Sequence, residues 1–169
     1  MAETIETDVC VVGGGPAGLV LGLLLGRQGV PVTVLEKHAD FLRDFRGDTV
    51  HPSTLDLMDV VGLGPAIAAL PAGRRVRQLA VTFDDRTIPI VDFSRLSGRH
   101  PYLLFLPQWD FLDLLASEAA NYPSFQLRRS TPATDVIRDR GGRVCGVLAD
   151  GPGGQVRVGA RLTVACDGR

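Results

Sequence analysis

One short stretch near the amino end constrains this chain more than any other. Gly13-x-Gly15-x-x-Gly18 lies between an apolar run, Thr7 to Val12 (TDVCVV), and a helical stretch, Leu19 to Arg27. Glycine spacing alone is a weak signal, but between a strand and a helix each glycine has a task. Gly13 permits a tight turn, Gly15 lets a pyrophosphate approach the backbone, and Gly18 lets the helix pack close to the strands. Pro16 falls in the first helical turn, where its missing N–H leaves nothing unpaired. Gly29 stands where a helix ends. Pro31 to Leu35 (PVTVL) then reads as a second, β-branched strand. Strand, glycine turn, helix and strand make a βαβ unit whose two strands pair in parallel. The helix start offers N–H groups and a partial positive charge to phosphates.

Glu36 ends the second strand, 18 residues after Gly18. That is close to the ~20 expected of the acid that binds an adenosine ribose. A carboxylate there repels a 2′-phosphate, so NADP is disfavoured at this position in spite of the neighbouring Lys37. These residues do not separate NAD from FAD.

Composition removes several other classes. The chain has 169 residues, 45% hydrophobic and 22% charged, with a net charge of -1. This is globular composition with no basic excess for nucleic acid. The longest apolar stretch, Gly18 to Gly26, is too short to span a bilayer, and the acidic start does not resemble a signal peptide. Cys10, Cys145 and Cys166 have no close spacing. They read as buried free thiols of a cytoplasmic protein. His38, His51 and His100 have no ligand spacing, and no metal site is expected.

Further along, Phe41 to Thr49 is polar and loop-like. Pro52 opens a helix carrying Leu55, Met58 and Val61, which Gly62 and Gly64 end. Arg75 to Val91 alternates around Asp84-Asp85 as a β-hairpin with one apolar face. Tyr102 to Leu106 reads as a strand, and Gln108 to Ala120 as an amphipathic helix. Thr134 to Arg138, Arg143 to Ala149 and Gln155 to Val158 form an antiparallel meander with Gly-rich turns. Arg161 to Cys166 reads as a last buried strand, running into Asp167-Gly168-Arg169.

Taken in order, VVGGGPAGL, Glu36, the Arg46 loop leading into HPSTLDLMDVVGLG, Gln108 at a helix start and the closing ACDGR resemble the class A flavoprotein monooxygenases. These are the aromatic-ring hydroxylases of the para-hydroxybenzoate hydroxylase family. The resemblance implies an α/β, Rossmann-like (glutathione-reductase-like) FAD-binding fold. It would comprise a βαβ start, an antiparallel meander, and a hairpin belonging to an incomplete substrate domain. Residues 1–72 and 99–169 would form the FAD-binding domain and residues 73–98 the hairpin. It implies FAD as cofactor, NADH or NADPH as transient reductant, O₂, and a small aromatic or polycyclic substrate.

By the same resemblance Gly13, Gly15 and Gly18, with Pro16 and Ala17 between them, face the pyrophosphate. Glu36, with Lys37 beside it, binds the adenosine ribose. Arg46 reaches the flavin side or the phosphates, and Gln108 contacts the cofactor near the pyrophosphate. Asp167 and Gly168 serve FAD and the visiting nicotinamide nucleotide. No side chain is assigned as catalytic, because the cofactor carries the chemistry. The family pattern continues past the Asp-Gly motif. The chain is therefore expected to be the amino-terminal part of a longer enzyme, inactive alone, whose remaining part is its partner. A non-catalytic FAD- or NAD-binding module, a geranylgeranyl-reductase-like flavoprotein and a flavin halogenase remain open as alternatives.

Overall fold

A computed structural model describes residues 3–42 and 48–168. The chain divides into two compact parts, Met1–Phe41 with Leu115–Arg169, and Leu42–Leu114. In chain order the first part opens with β1 (Glu3–Val12), α1 (Pro16–Arg27) and β2 (Val32–Leu35). The second holds β3 (Thr49–Val50), α2 (Pro52–Val60), α3 (Gly64–Ala68), β4 (Arg74–Val76), β5 (Gln78–Phe83), β6 (Arg86–Asp92) and β7 (Leu103–Phe105). Helix α4 (Gln108–Ala119) leads back to the first part, which closes with β8 (Phe125–Arg128), β9 (Ala133–Arg138), β10 (Val144–Gly151) and β11 (Gly154–Ala165).

The first part is built on one six-stranded sheet in the order β8-β2-β1-β11-β10-β9. Four neighbours, β8, β2, β1 and β11, run parallel, and β10 and β9 are antiparallel. The parallel β1–β2 pair is the one the βαβ pattern predicts. Unbroken runs of Val, Ile and Leu suit central parallel strands because both faces are covered. Val9, Cys10 and Val11 of β1 and all four residues of β2 are buried. Two apolar clusters carry the core. One gathers Val9, Val11, Val32 and Val34, with Leu25 and Phe125 packed against them. The other gathers Cys10, Leu35, Val147, Val156 and Val158.

Helix α1 seats on this sheet through small residues. Its buried side is Gly18, Leu19, Gly22, Leu23 and Gly26. A Cβ on Gly22 would stand 2.8 Å from both the Phe125 ring and Val34, and one on Gly26 3.1 Å from Phe125 Cβ. The glycine spacing of four that begins with Gly18 therefore continues along the helix as a flat contact strip.

Two readings of the last third change. The segments Gln155–Val158 and Arg161–Cys166 are one strand, β11, because β1 runs alongside it without a break from Glu3 to Val12. Only the half from Gly154 to Gly159 also pairs with β10. Beyond it Leu162 is 55% exposed, so that half is not the buried strand expected from RLTVAC. The thiols differ in the same way. Cys10 is buried, whereas Cys145, near the start of β10, and Cys166, past the end of β11, are half-buried.

The second part contains a three-stranded antiparallel sheet, β3-β7-β4, and a separate hairpin, β5–β6. The hairpin turns at Asp84-Asp85 as expected, with Asp84 at φ 52°. Its apolar side chains are open: Phe83 is 65% and Ile90 59% exposed. Past Gly62, where the helix was expected to stop, the chain forms the additional short helix α3. Among the described residues no helix is long and apolar enough to cross a membrane.

Candidate functional site

The carboxyl ends of three parallel strands are level: Val12 of β1 pairs with Leu35 of β2 and with Ala165 of β11. Ligands of open α/β sheets bind beyond such ends. Three loops leave there: Gly13-Gly14-Gly15, Glu36-Lys37-His38 and Cys166-Asp167-Gly168. Residues up to 155 apart in sequence thereby meet at one edge.

The glycine turn is held on both sides. The N–H of Gly13 donates to the Leu35 carbonyl at 2.8 Å, and the N–H of Cys166 donates to the Val12 carbonyl at 2.7 Å. Gly13 has φ 109°, and a Cβ there would lie 2.3 Å from the Cys166 carbonyl oxygen and 2.8 Å from the Asp167 nitrogen. Only glycine fits both the dihedral and the space. A Cβ on Gly18 would lie 1.9 Å from the Gly13 carbonyl oxygen, so helix and turn are in backbone contact at that point.

Gly15 is different. It is the N-cap of α1, with φ -76° and ψ -174°, and a Cβ there would meet nothing within 4 Å. Its conformation does not demand glycine, but open space lies in front of it. The helix behind it has Pro16 at its start, no side-chain cap and no acid in its first turn. The first-turn N–H groups have no intrahelical acceptor, and nothing in the helix neutralises the positive dipole end. That is the donor set a pyrophosphate takes.

Glu36 is buried, 3% exposed. One oxygen, Oε2, accepts from the Gly14 N–H at 2.8 Å, and the other, Oε1, accepts from the His38 N–H at 2.9 Å. The carboxylate thus ties the glycine turn to the end of β2, a role the spacing rule does not contain. Each carboxylate oxygen has further lone-pair capacity, so accepting from a ribose hydroxyl is compatible with the brace. The backbone beyond Glu36 is clamped by the loop after β8: Thr131 N–H donates to the Glu36 carbonyl and Ser130 N–H to that of His38. The Arg129 guanidinium sits 4.3 Å from the centre of the Phe41 ring.

The other residues singled out from the sequence fall as follows. Pro16, Ala17, Lys37, Asp167 and Gly168 are exposed at this edge, and Gly168 has φ 71°. Gln108 is the first residue of α4, in the second part, and its N–H donates to Asp48 Oδ1 at 3.4 Å. Asp48 thus meets that helix start from outside, and Asp110 is the acid within its first turn. Arg46 lies outside the described residues. His51 is the N-cap residue of α2, without a side-chain capping bond. Sequence reasoning missed two things: the Glu36–Gly14 brace, and a hydrogen-bonded chain of Asp59, His100 and Tyr102 in the second part. Asp59 and His100 are 41 residues apart, and no pattern signals the pairing.

Burial raises the Cys10 thiol to about 11. Cys166 is also raised, first by burial and then by the neighbouring Asp167 charge. Neither thiol has the electropositive surroundings of a nucleophile.

Comparison with known proteins agrees with this geometry. A family model described as an FAD binding domain matches residues 6–169. The 6-methylpretetramide 4-monooxygenase of Streptomyces rimosus is 34% identical over 172 residues, covering 99% of this chain and 40% of its own. The structure of p-nitrophenol 4-monooxygenase from Pseudomonas putida DLL-E4 superposes with a TM-score of 0.84 at 28% identity, covering 98% of this chain and 42% of that one. The anhydrotetracycline hydroxylase of Streptomyces rimosus gives 0.80 at 33% identity, covering 97% and 32%. The chain spans about 30–40% of the length of the curated relatives it matches. It belongs to the FAD binding domain family, and its relatives include monooxygenases, in line with the resemblance that the sequence motifs carry.

Proposed function

We propose that this chain is the FAD-binding portion of a flavin-dependent monooxygenase that hydroxylates a small aromatic or polycyclic substrate, using NADH or NADPH and O₂. The observation that carries the reading is the open space before Gly15, at an uncapped helix start, beside a carboxylate already fixed by two backbone N–H groups. Gly13, Gly15, Pro16, Ala17 and Gly18 would hold the pyrophosphate. Glu36 would hold the adenosine ribose, with Lys37 at its rim. Asp167 and Gly168 would close the edge from the β11 side. Arg46 and Gln108 would also contact the cofactor. When bound, FAD supplies the redox chemistry; the chain binds and orients it, and none of its side chains is needed as nucleophile or acid–base pair. Within this reading residues 1–72 and 99–169 form the FAD-binding domain, and residues 73–98 belong to a substrate domain. Half-buried free thiols suit a cytoplasmic setting.

Thermal melting with added nucleotide tests the proposal. FAD raises the melting temperature of the 169-residue chain and NAD does not; at one hundred times its Kd a ligand adds about 2.7 kcal/mol. Gly15→Ala leaves the ligand-free melt within about 1 kcal/mol of wild type, since its methyl meets only open space. The same methyl removes the FAD-dependent rise. An FAD response that survives Gly15→Ala would put the pyrophosphate elsewhere.

A further inference from the structure

The second part carries a partly open cavity of about 240 Å³ between the β3-β7-β4 sheet and helices α2 and α3. That is small for a ligand pocket, and it admits about one ring. Leu55, Ile67 and Leu104 make its apolar walls. A chain of polar groups also lines it. Asp59 Oδ2 is 2.8 Å from His100 Nε2, and His100 Nδ1 is 2.9 Å from the Tyr102 hydroxyl oxygen. Asp56 Oδ1 lies 3.9 Å from the same Nε2, and it is buried with no hydrogen-bond partner. The Arg99 guanidinium is 3.9 Å from Asp59, and that of Arg75 is 5.0 Å from the centre of the Tyr102 ring.

The bonding rules of these groups define the occupant. A carboxylate only accepts, so His100 Nε2 carries a proton toward Asp59. If the ring is neutral, Nδ1 accepts from the Tyr102 O–H and the tyrosine oxygen keeps a lone pair. If the ring is charged, Nδ1 donates and the tyrosine hydrogen is free. In either state the Tyr102 oxygen has one further hydrogen bond to make, as acceptor or as donor. A hydroxyl group answers both. An anionic group would meet the Asp59 carboxylate in the cavity wall, with that of Asp56 behind it on the same Nε2 side of His100.

We propose that this cavity is a ligand site for a small neutral ring compound bearing a hydroxyl group. Its oxygen sits on Tyr102, and its ring lies against Leu55, Ile67 and Leu104. The site is built wholly from residues of the second part and needs no flavin, so it stands or falls apart from the proposed function.

Phenol is the probe, with toluene and benzoate as controls, followed by the ring signals of the three histidines in NMR titrations of the full chain. Phenol shifts the His100 signals saturably. Tyr102→Phe keeps the ring but removes the hydroxyl; it weakens phenol on the order of tenfold, the loss of one hydrogen bond, and leaves toluene unchanged. Ala68→Phe narrows the cavity and abolishes binding of both; a melting curve shows whether each variant folds, and Tyr102→Phe decides alone if the other does not. A titration without saturation overturns the proposal. So does phenol affinity that Tyr102→Phe leaves intact, or benzoate binding tighter than phenol, which would make Arg75 the anchor.

Discussion

The β1–β2 pair and the β5–β6 hairpin are both runs of β-branched and apolar residues, yet they end in opposite surroundings. Cys10 and Val11 of β1 are fully buried, while Phe83 and Ile90 of the hairpin are more than half exposed. β-branched content alone does not account for this: Pro89 confines TIPIVD to an edge or a bulge, but its Ile88, Ile90 and Val91 are as suited to a strand as the valines of TDVCVV. Neighbours do. Strand β1 is flanked on both edges and covered by α1, whereas a two-stranded ribbon buries neither edge and has no sheet to shield its faces. An apolar strand in a sequence therefore reports the capacity to be buried, and the sheet around it decides whether that capacity is used.

Truncation of matched side chains is the strongest way to break this contrast. Leu35→Ala in β2 should cost about 2–5 kcal/mol in a denaturant titration, the usual range for a fully buried leucine. Ile88→Ala on the hairpin should stay within about 0.5 kcal/mol, since the side chain is half in water already. Equal costs would mean that the hairpin face is covered in solution.

A smaller effect sharpens the contrast inside the first part. Gly22→Ala should cost about 1–3 kcal/mol by pushing α1 off Phe125 and Val34. Phe125→Leu in the same chain should return part of that loss. If Gly22→Ala proves neutral, the helix is not seated as closely as the glycine strip requires.

A further effect appears only at high pH. The folded Cys10 thiol is raised to about 11 from 9.0, so the folded state holds its proton more tightly than the unfolded chain. The resulting stability is fully present below pH 9 and is lost as pH climbs from 9 toward 11, by on the order of 2 kcal/mol. Denaturant midpoints at pH 8.5 and 10.5 should differ more in wild type than in Cys10→Ala. Parallel behaviour of the two would show that the thiol is solvated.

Much of the candidate site was legible because its parts are local. The glycine motif, the helix start and Glu36 lie within 24 consecutive residues, and their spacing is set by one turn and one helix. What escaped depends on distant partners. Strand β8, with the sequence FQLR, carries too weak an alternation to stand out, and it exists because β2 offers it an edge. Residues Glu3 to Glu6 join β1, well before the apolar run, only because β11 runs beside them. Gly22 and Gly26 read as weak helix formers until Phe125 is seen against them. The Glu36 brace was hidden for another reason: a spacing rule names the ligand of an acid, not the backbone N–H that holds the acid still.

The pairing of β1 with β11 also sets an order of events in time. Val12 and Ala165 are neighbours in the sheet although about 150 residues separate them, the kind of contact that forms slowly. During synthesis the glycine turn leaves the ribosome about 150 residues before Cys166, whose N–H holds it on the β11 side. A chain interrupted before residue 154 would carry the whole glycine motif and lack the wall it rests on. Competence to hold a nucleotide is thus acquired at the end of translation of this segment, not at its beginning.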